Sequence, residues 1–328
     1  MPRTIYIATR GSALALAQAN WVRTQLSEFF PGQHFELKII RTTGDQLQTA
    51  SLSNPREQSS KGLFTKELEN ALLAKEADIA VHSLKDLPTE LPEGLLLGAI
   101  PPREDVRDLL IFRREGGMLR GYSNQATLKH FATGAVIATS STRRQAQVLA
   151  SRPDLHCVPV RGNVGTRLNK LATLPDFDGM LLAAAGINRL GFKIATDGTL
   201  SGEGVPEGLL AKLLSIEEML PCVGQAALGI EIRANDPQIQ SIVNRLNDHS
   251  TALCVRAERA FLRTMGGGCL SPIAACARFD HPSIHIDVLF FEGTNAFRKS
   301  GSGPSDYPEA LGERIALELK SCSISKAN

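Results

Sequence analysis

Four arginines, Arg10, Arg143, Arg144 and Arg161, each follow a segment whose composition predicts a β-strand. Guanidinium groups at that position have a chemistry. In open α/β sheets ligands bind beyond the carboxyl ends of the strands, and arginine grips carboxylates and phosphates through paired N–H groups. Arg143 and Arg144 also occupy the first turn of a predicted helix, directly after Ser140 and Ser141. Cations there oppose the helix dipole, so the pair makes sense if an anion neutralises both guanidinia and meets the helix N-terminus. Taken alone, an Arg-Arg pair reads as a solvated surface feature. Recurrence of the pattern at Arg161 and Arg167, in RGNVGTR, turns the reading towards an anion site for a ligand with several carboxylates or phosphates.

Two further segments could carry chemistry. HSLKDLP (82–88) sets Lys85 and Asp86 after a strand and before a proline turn. A carboxylate there can stabilise a developing cation or hold a ligand N–H; an ordinary turn with a local ion pair is the competing reading. His82 by itself reads as structural. GGGCLSPI (266–273) puts Cys269 behind three glycines, in a loop where backbone can approach a ligand and a thiol is accessible. A small buried residue after a turn is the alternative. No Ser-His-Asp arrangement, phosphate loop or dinucleotide fingerprint is legible, and no Cys or His spacing predicts a metal site.

The elements that must position these residues alternate. TIYIATR, HFELKII and ADIAVHS read as strands, with helices after Ser12 (Leu14, Ala17, Trp21, Val22 and Leu26 on one face) and over LFTKELENALLAKEA. LPEGLLLGAIPPRED, rich in Pro and Gly, marks a crossover. The pattern then repeats: AVIATS, LHCVPV and GMLLAAAG as strands, STRRQAQVLA and VGTRLNKLA as helices. Residues 191–222 read as an irregular connection, and GIEIR as a strand returning to the first domain. The remainder reads as a small α+β unit: a helix over TALCVRAERAFLRTM, strands IAACARF and IHIDVLFF around DHPS, and a last helix from Pro308 with Leu311, Ile315 and Leu319 in line.

With 328 residues the chain predicts two or three domains, and 43% hydrophobic and 21% charged residues are those of a globular protein. A net charge of +2 and 5% aromatics count against a nucleic-acid binder, although a local basic cleft remains compatible with them. MPRTIYIATRGS lacks a signal-peptide core and no apolar run reaches membrane-spanning length, so the cytoplasm is the expected location. The six cysteines, at 157, 222, 254, 269, 276 and 322, are expected to be mostly reduced, buried thiols.

The segments ATRGSALALAQA, RTTGD, KGLFTKELE, ADIAVHSLKDLP, PREDVRD, TSSTRRQAQ, RGNVGTRL, AAAGINRLG, GQAALGIEIR and GGGCLSPIAA, in this order over nearly the whole chain, resemble the porphobilinogen deaminase (hydroxymethylbilane synthase) family. The resemblance implies a fold of two doubly wound α/β domains of periplasmic-binding-protein type (residues 1–102 with 225–244, and 103–224) and a small C-terminal α+β domain (245–328). It implies a transferase of tetrapyrrole biosynthesis that joins four porphobilinogen molecules with loss of ammonia and releases hydroxymethylbilane by hydrolysis. Cys269 would hold a dipyrromethane cofactor through a thioether, and Asp86, buried and ionised beside arginines, would be the catalytic carboxylate. Lys85, Ser141, Arg143, Arg144 and Arg161 match cofactor-binding positions. Arg10, Ser12, Arg167 and Arg189 match substrate-binding positions, with Phe64 and Lys61 on a loop near the active site. The resemblance also suggests a monomer. Three features depart from the family pattern: Ala226 where Gly is usual, Thr142 where Leu is usual, and a long connection from Arg189 to Gln225. Two competing readings are a non-catalytic bilobal protein that grips a small polycarboxylate, which would need neither Cys269 nor Asp86, and a nucleic-acid binder.

Overall fold

The structure, a computed structural model, describes residues 3–45, 64–267 and 271–327. It opens with β1 (Ile5–Arg10), α1 (Ala13–Phe29) and β2 (Phe35–Ile40), the strands running parallel from Ile5 opposite Phe35 to Arg10 opposite Ile40. α2 (Lys66–Leu73) leads into β3 (Ile79–Ser83), which is parallel to β1. β4 (Leu95–Ala99) lies inside the stretch expected to be a crossover. The apolar run LLLGA is long enough for a strand, and the chain crosses over only after it.

The second half repeats this plan with β5 (Asp108–Arg113), β6 (Val136–Ala138), α3 (Thr142–Ser151), β7 (His156–Val158), α4 (Val164–Thr173), β8 (Gly179–Ala183) and α5 (Ala184–Arg189). The segment after Arg189, expected to be irregular, instead holds a small antiparallel pair, β9 (Lys193–Ile194) and β10 (Leu200–Ser201), and the edge strand β11 (Leu209–Leu213). Glycines and prolines punctuate these strands rather than replace them. β12 (Leu228–Arg233) then returns to the first sheet, antiparallel to both β3 and β4.

The two five-stranded sheets have one plan. Their orders are β2-β1-β3-β12-β4 and, reversed, β7-β6-β8-β5-β11. In each, three parallel strands are followed by an antiparallel fourth that also pairs with the edge strand. Both faces of each sheet are covered, as period-two side chains require. Ile5, Ile7, Ile79 and Val81 pack with Ala19, Val22 and Leu26 of α1 on one face, while Ala8 and Ala80 meet Leu68 and Leu72 of α2 on the other. The buried stripe of α1 runs through Ala15, Ala19, Val22 and Leu26, whereas Trp21 is 41% exposed, one helical step off that stripe. In the second sheet Leu109, Ile111 and Leu182 face α4, and Leu110, Phe112 and Ile137 face Val148 of α3.

α6 (Pro237–Val243) closes the first core, and α7 (His249–Met265) begins the C-terminal unit. There β13 (Ile273–Asp280), β14 (Ser283–Glu292) and β15 (Asn295–Pro304) form an antiparallel sheet covered by α7 and α8 (Pro308–Ala327). β15 was not expected: KSGSGP carries no apolar alternation, and the strand exists because it pairs along its whole length with β14. α7 and α8 approach so closely that a Cβ on Gly312 would lie 2.1 Å from the Ala257 carbonyl oxygen. The fold is thus two α/β units with a small α+β unit.

Candidate functional site

The carboxyl ends of the parallel strands in both sheets contribute to one cleft of about 560 Å³. Arg10, Ser12 and Lys85 line it from the ends of β1 and β3; Arg144, Asn163 and Arg167 line it from the segments after β6 and β7. This is where an open α/β sheet presents a ligand site.

Arg10, last in β1, donates to Asp45 through Nη2 and, at 3.2 Å, through Nε; its guanidinium lies 4.2 Å over the Phe64 ring. Burial opposes the Asp45 charge, but hydrogen bonds from Arg10 and from Thr42 (2.8 Å) prevail and hold it below the usual carboxylate range. Ser12 caps α1, its Oγ accepting the Ala15 N–H at 3.3 Å.

Lys85 and Asp86 sit in a short 3-10 turn, Leu84–Asp86. Leu84 and Leu87 anchor this turn in an apolar cluster, which turns Asp86 outward. Asp86 is therefore exposed, not buried beside arginines as expected. His82, four residues earlier, is buried and hydrogen-bonded to the buried Glu231 at 2.9 Å, a structural pair.

Arg143 and Arg144 are buried, so they are no solvated surface pair. The anion that neutralises them belongs to the chain. Asp108, fully buried at the head of β5, accepts from Arg143 Nη2 and Arg144 Nη2, each at 2.7 Å. Burial opposes its charge, yet the two guanidinia outweigh burial and bring its pKa to about 2. Gln225 adds a third donor to Asp108 at 2.9 Å. Arg143 also donates to the Leu220 carbonyl (2.6 Å) and Arg144 to that of Leu181 (3.1 Å). Their Nε atoms remain buried without a hydrogen-bond partner. Ser141 caps α3 through the Arg144 N–H at 3.4 Å.

Arg167 donates to the Gly162 carbonyl at 2.8 Å and has no carboxylate partner among the described residues. Burial, and then the like charge of Arg144, pulls its pKa down. Arg161 is exposed and does not line the cleft. Arg189 lies in a second cavity, of about 520 Å³, with Gln18, Trp21 and Glu104; it donates to the Ala226 carbonyl at 2.6 Å, and burial lowers its pKa to about 10. Cys269 and Lys61 lie outside the described residues. Among the described residues no His, Cys, Asp and Glu cluster could hold a metal.

Sequence reading missed Asp45, Asp108 and Asn163. Asp108 had a signal: it is a charge at the head of DLLIFR, a strand buried throughout. Asn163 is the N-cap of α4, its side chain accepting the Thr166 N–H at 2.9 Å.

Geometry and charge define a bilobal α/β protein whose cleft gathers arginines in excess of carboxylates. Sequence comparison narrows the class. A profile described as porphobilinogen deaminase, dipyromethane cofactor binding domain, matches residues 5–241, and one described as porphobilinogen deaminase, C-terminal domain, matches residues 252–321. The porphobilinogen deaminase of Desulforudis audaxviator is 44% identical over 97% of this chain and 95% of its own length, and that of Bacillus subtilis 42% identical over 96% and 92%. The chain belongs to the porphobilinogen deaminase family. Among solved structures, the periplasmic aliphatic sulphonate binding protein SsuA from Escherichia coli aligns with a TM-score of 0.37 at 11% identity, covering 81% of this chain and 71% of that one, too distant to bear on function.

Proposed function

We propose that this chain carries out the family's reaction: it joins four porphobilinogen molecules with loss of ammonia and releases hydroxymethylbilane. The observation that carries the reading is the pairing of Arg167 with Arg144 in one cleft, two guanidinia held close enough for one to disfavour the charge of the other. Such a site is satisfied by a ligand rich in carboxylates. Every pyrrole unit of this substrate brings an acetate and a propionate.

The same cleft fits a dipyrromethane. Its arms would meet Arg144 and Lys85 in the cleft, with Ser141 and Arg161, which are not among the residues lining it, as further contacts, and Cys269 would hold it as a thioether. When bound, the dipyrromethane supplies the pyrrole carbon to which the first substrate unit is joined. Arg143 supports Arg144 from behind through Asp108. Arg10 and Ser12, at the end of β1, and Arg167 across the cleft receive substrate carboxylate, with Phe64 stacked on Arg10 and Lys61 as a further substrate contact. Arg189, in the neighbouring cavity, receives the growing chain. Asp86, exposed beside Lys85 and outside the residues that line the cleft, accepts pyrrole N–H groups of a ligand reaching beyond that lining, stabilises the cation formed when ammonia leaves, and assists the proton transfer.

Three units divide the work: 1–102 with 225–244 supply Asp86, Lys85 and Arg10, 103–224 the remaining arginines, and 245–328 the cysteine. The protein acts as a cytoplasmic monomer and takes neither nucleic acid nor membrane as partner. No described helix is long and apolar enough to cross a membrane.

Intact-mass measurement of the purified protein, followed by mapping of the Cys269 peptide, tests this function. An excess equal to a dipyrromethane on that peptide is expected. An unmodified chain that acquires no adduct from porphobilinogen would leave the non-catalytic polycarboxylate binder as the better account.

A further inference from the structure

The segment after α5 forms part of the cleft wall, and it is braced along its length. The Phe192 N–H donates to the Ile187 carbonyl at 3.2 Å, and β9 and β10 pair Lys193 with Ser201 and Ile194 with Leu200. Arg114 clamps the intervening turn, donating to Asp197 at 3.0 Å and to Thr199 at 2.6 Å. Gly202 then takes φ +150°, and a Cβ there would lie 2.6 Å from Cδ1 of Phe192, so backbone lies directly on that ring. The chain turns back at once, the Val205 N–H donating to the Gly202 carbonyl at 3.1 Å. At the tip of this turn stands Glu203.

Glu203 is exposed, and with Phe192 and Gly204 it lines the cleft that Arg10, Lys85, Arg144 and Arg167 also line. It is the one carboxylate among the described residues lining that cleft, and no described residue engages its side chain in a hydrogen bond or ion pair. A braced turn explains how a carboxylate can face several cations without folding onto one of them.

Porphobilinogen carries two carboxylates and one ammonium. A cleft lined by cations alone would grip any pyrrole diacid, including one that has no ammonium to lose. We infer that Glu203 receives the ammonium of the incoming porphobilinogen and so separates it from pyrrole diacids that lack the aminomethyl group. This inference rests on the function proposed above. Its physical signature is a pair of opposite effects. The carboxylate attracts the ammonium of the substrate and repels a ligand that brings carboxylates only.

The test uses the holoenzyme with its primer attached, wild type against Glu203→Gln, which keeps the size of an exposed side chain and removes its charge. Steady-state kinetics are measured with porphobilinogen, and inhibition with a pyrrole bearing the same acetate and propionate arms but a methyl in place of the aminomethyl group. In Glu203→Gln the KM for porphobilinogen is expected to rise about three- to ten-fold, the loss of one charge-assisted contact. The Ki of the methyl analogue should stay constant or fall. An unchanged KM, or KM and Ki rising together, would overturn the assignment. A wild-type protein that neither carries the primer nor consumes porphobilinogen would instead overturn the function itself.

Discussion

Arg103 and Glu258 meet in a buried two-pronged ion pair, with Nη1–Oε1 at 2.7 Å and Nη2–Oε2 at 3.1 Å. Arg103 lies on the first connection between the sheets and also donates to the Gln225 carbonyl, at 2.7 Å, on the second. Glu258, on α7, accepts from Gly224 N and Ala277 N, each at 2.8 Å. Both connections and the C-terminal unit are therefore fastened to one carboxylate. Glu258→Ala leaves Arg103 buried and unpaired, and should lower the unfolding free energy by about 3–5 kcal/mol in a denaturant titration.

Asp108 makes the fold acid-sensitive in a defined window. A carboxyl at about 2 in the folded chain, against about 3.9 unfolded, binds fewer protons than the unfolded state between those values. Its stabilisation is complete above about pH 4 and is lost as pH falls through 2. Asp108→Asn should cost at least about 3 kcal/mol near neutrality, because two buried guanidinia lose their anion. It should also flatten the decline of the urea midpoint between pH 4 and 2. An equal slope in wild type and variant would assign that decline to other carboxylates.

Ala226 stands in the left-handed region at φ +69°, 6% exposed, with its carbonyl accepting from Glu104 N at 3.2 Å and from Arg189 at 2.6 Å. A side chain there costs about 1–2 kcal/mol, more than one buried methyl returns. Ala226→Gly should raise stability by about 0.5–1 kcal/mol and leave the Arg189 contact in place. A lower melting temperature in the variant would show that the methyl packs better than its backbone strain costs.

Asp86 and Cys269 separate the chemistry from its anchor. Asp86→Asn should keep the dipyrromethane mass and lose about 10²- to 10⁴-fold in turnover. Cys269→Ser should lack that mass altogether. Normal turnover in Asp86→Asn would remove the carboxylate from the reaction.

Arg144→Leu and Arg167→Leu should both weaken carboxylate binding, but only the first removes a partner of Asp108. Arg167→Leu is thus the cleaner probe, with KM expected to rise about ten-fold and the denaturant midpoint nearly unchanged. Unchanged kinetics in Arg167→Leu would make that guanidinium a packing residue.

Local chemistry made much of this legible in the sequence. Ser12 and Ser141 sit immediately before helices and cap them, and strands such as IAVHS announce themselves by buried apolar runs. Leu311, Ile315 and Leu319 form the buried stripe of α8 as their spacing requires. What stayed hidden depends on partners remote in the chain. β15 is a strand because β14 lies beside it. Arg143 and Arg144 are neutralised by a carboxylate 35 and 36 residues away, and Glu258 pairs at a separation of 155. No window of local sequence contains both ends of such pairs. The exposure of Asp86 is hidden for a related reason: a family pattern rich in arginines says nothing about which way a three-residue turn faces.

The placement of β12 between β3 and β4 has a consequence for the order in which the molecule can be made. The second sheet draws all its strands from Asp108 to Leu213, one uninterrupted stretch. The first sheet begins at Ile5 but lacks an interior strand until Leu228–Arg233 has been synthesised. On the ribosome, the half of the chain that emerges later can close before the half that emerges first, and the N-terminal strands must wait, with one edge open, for a segment still inside the exit tunnel.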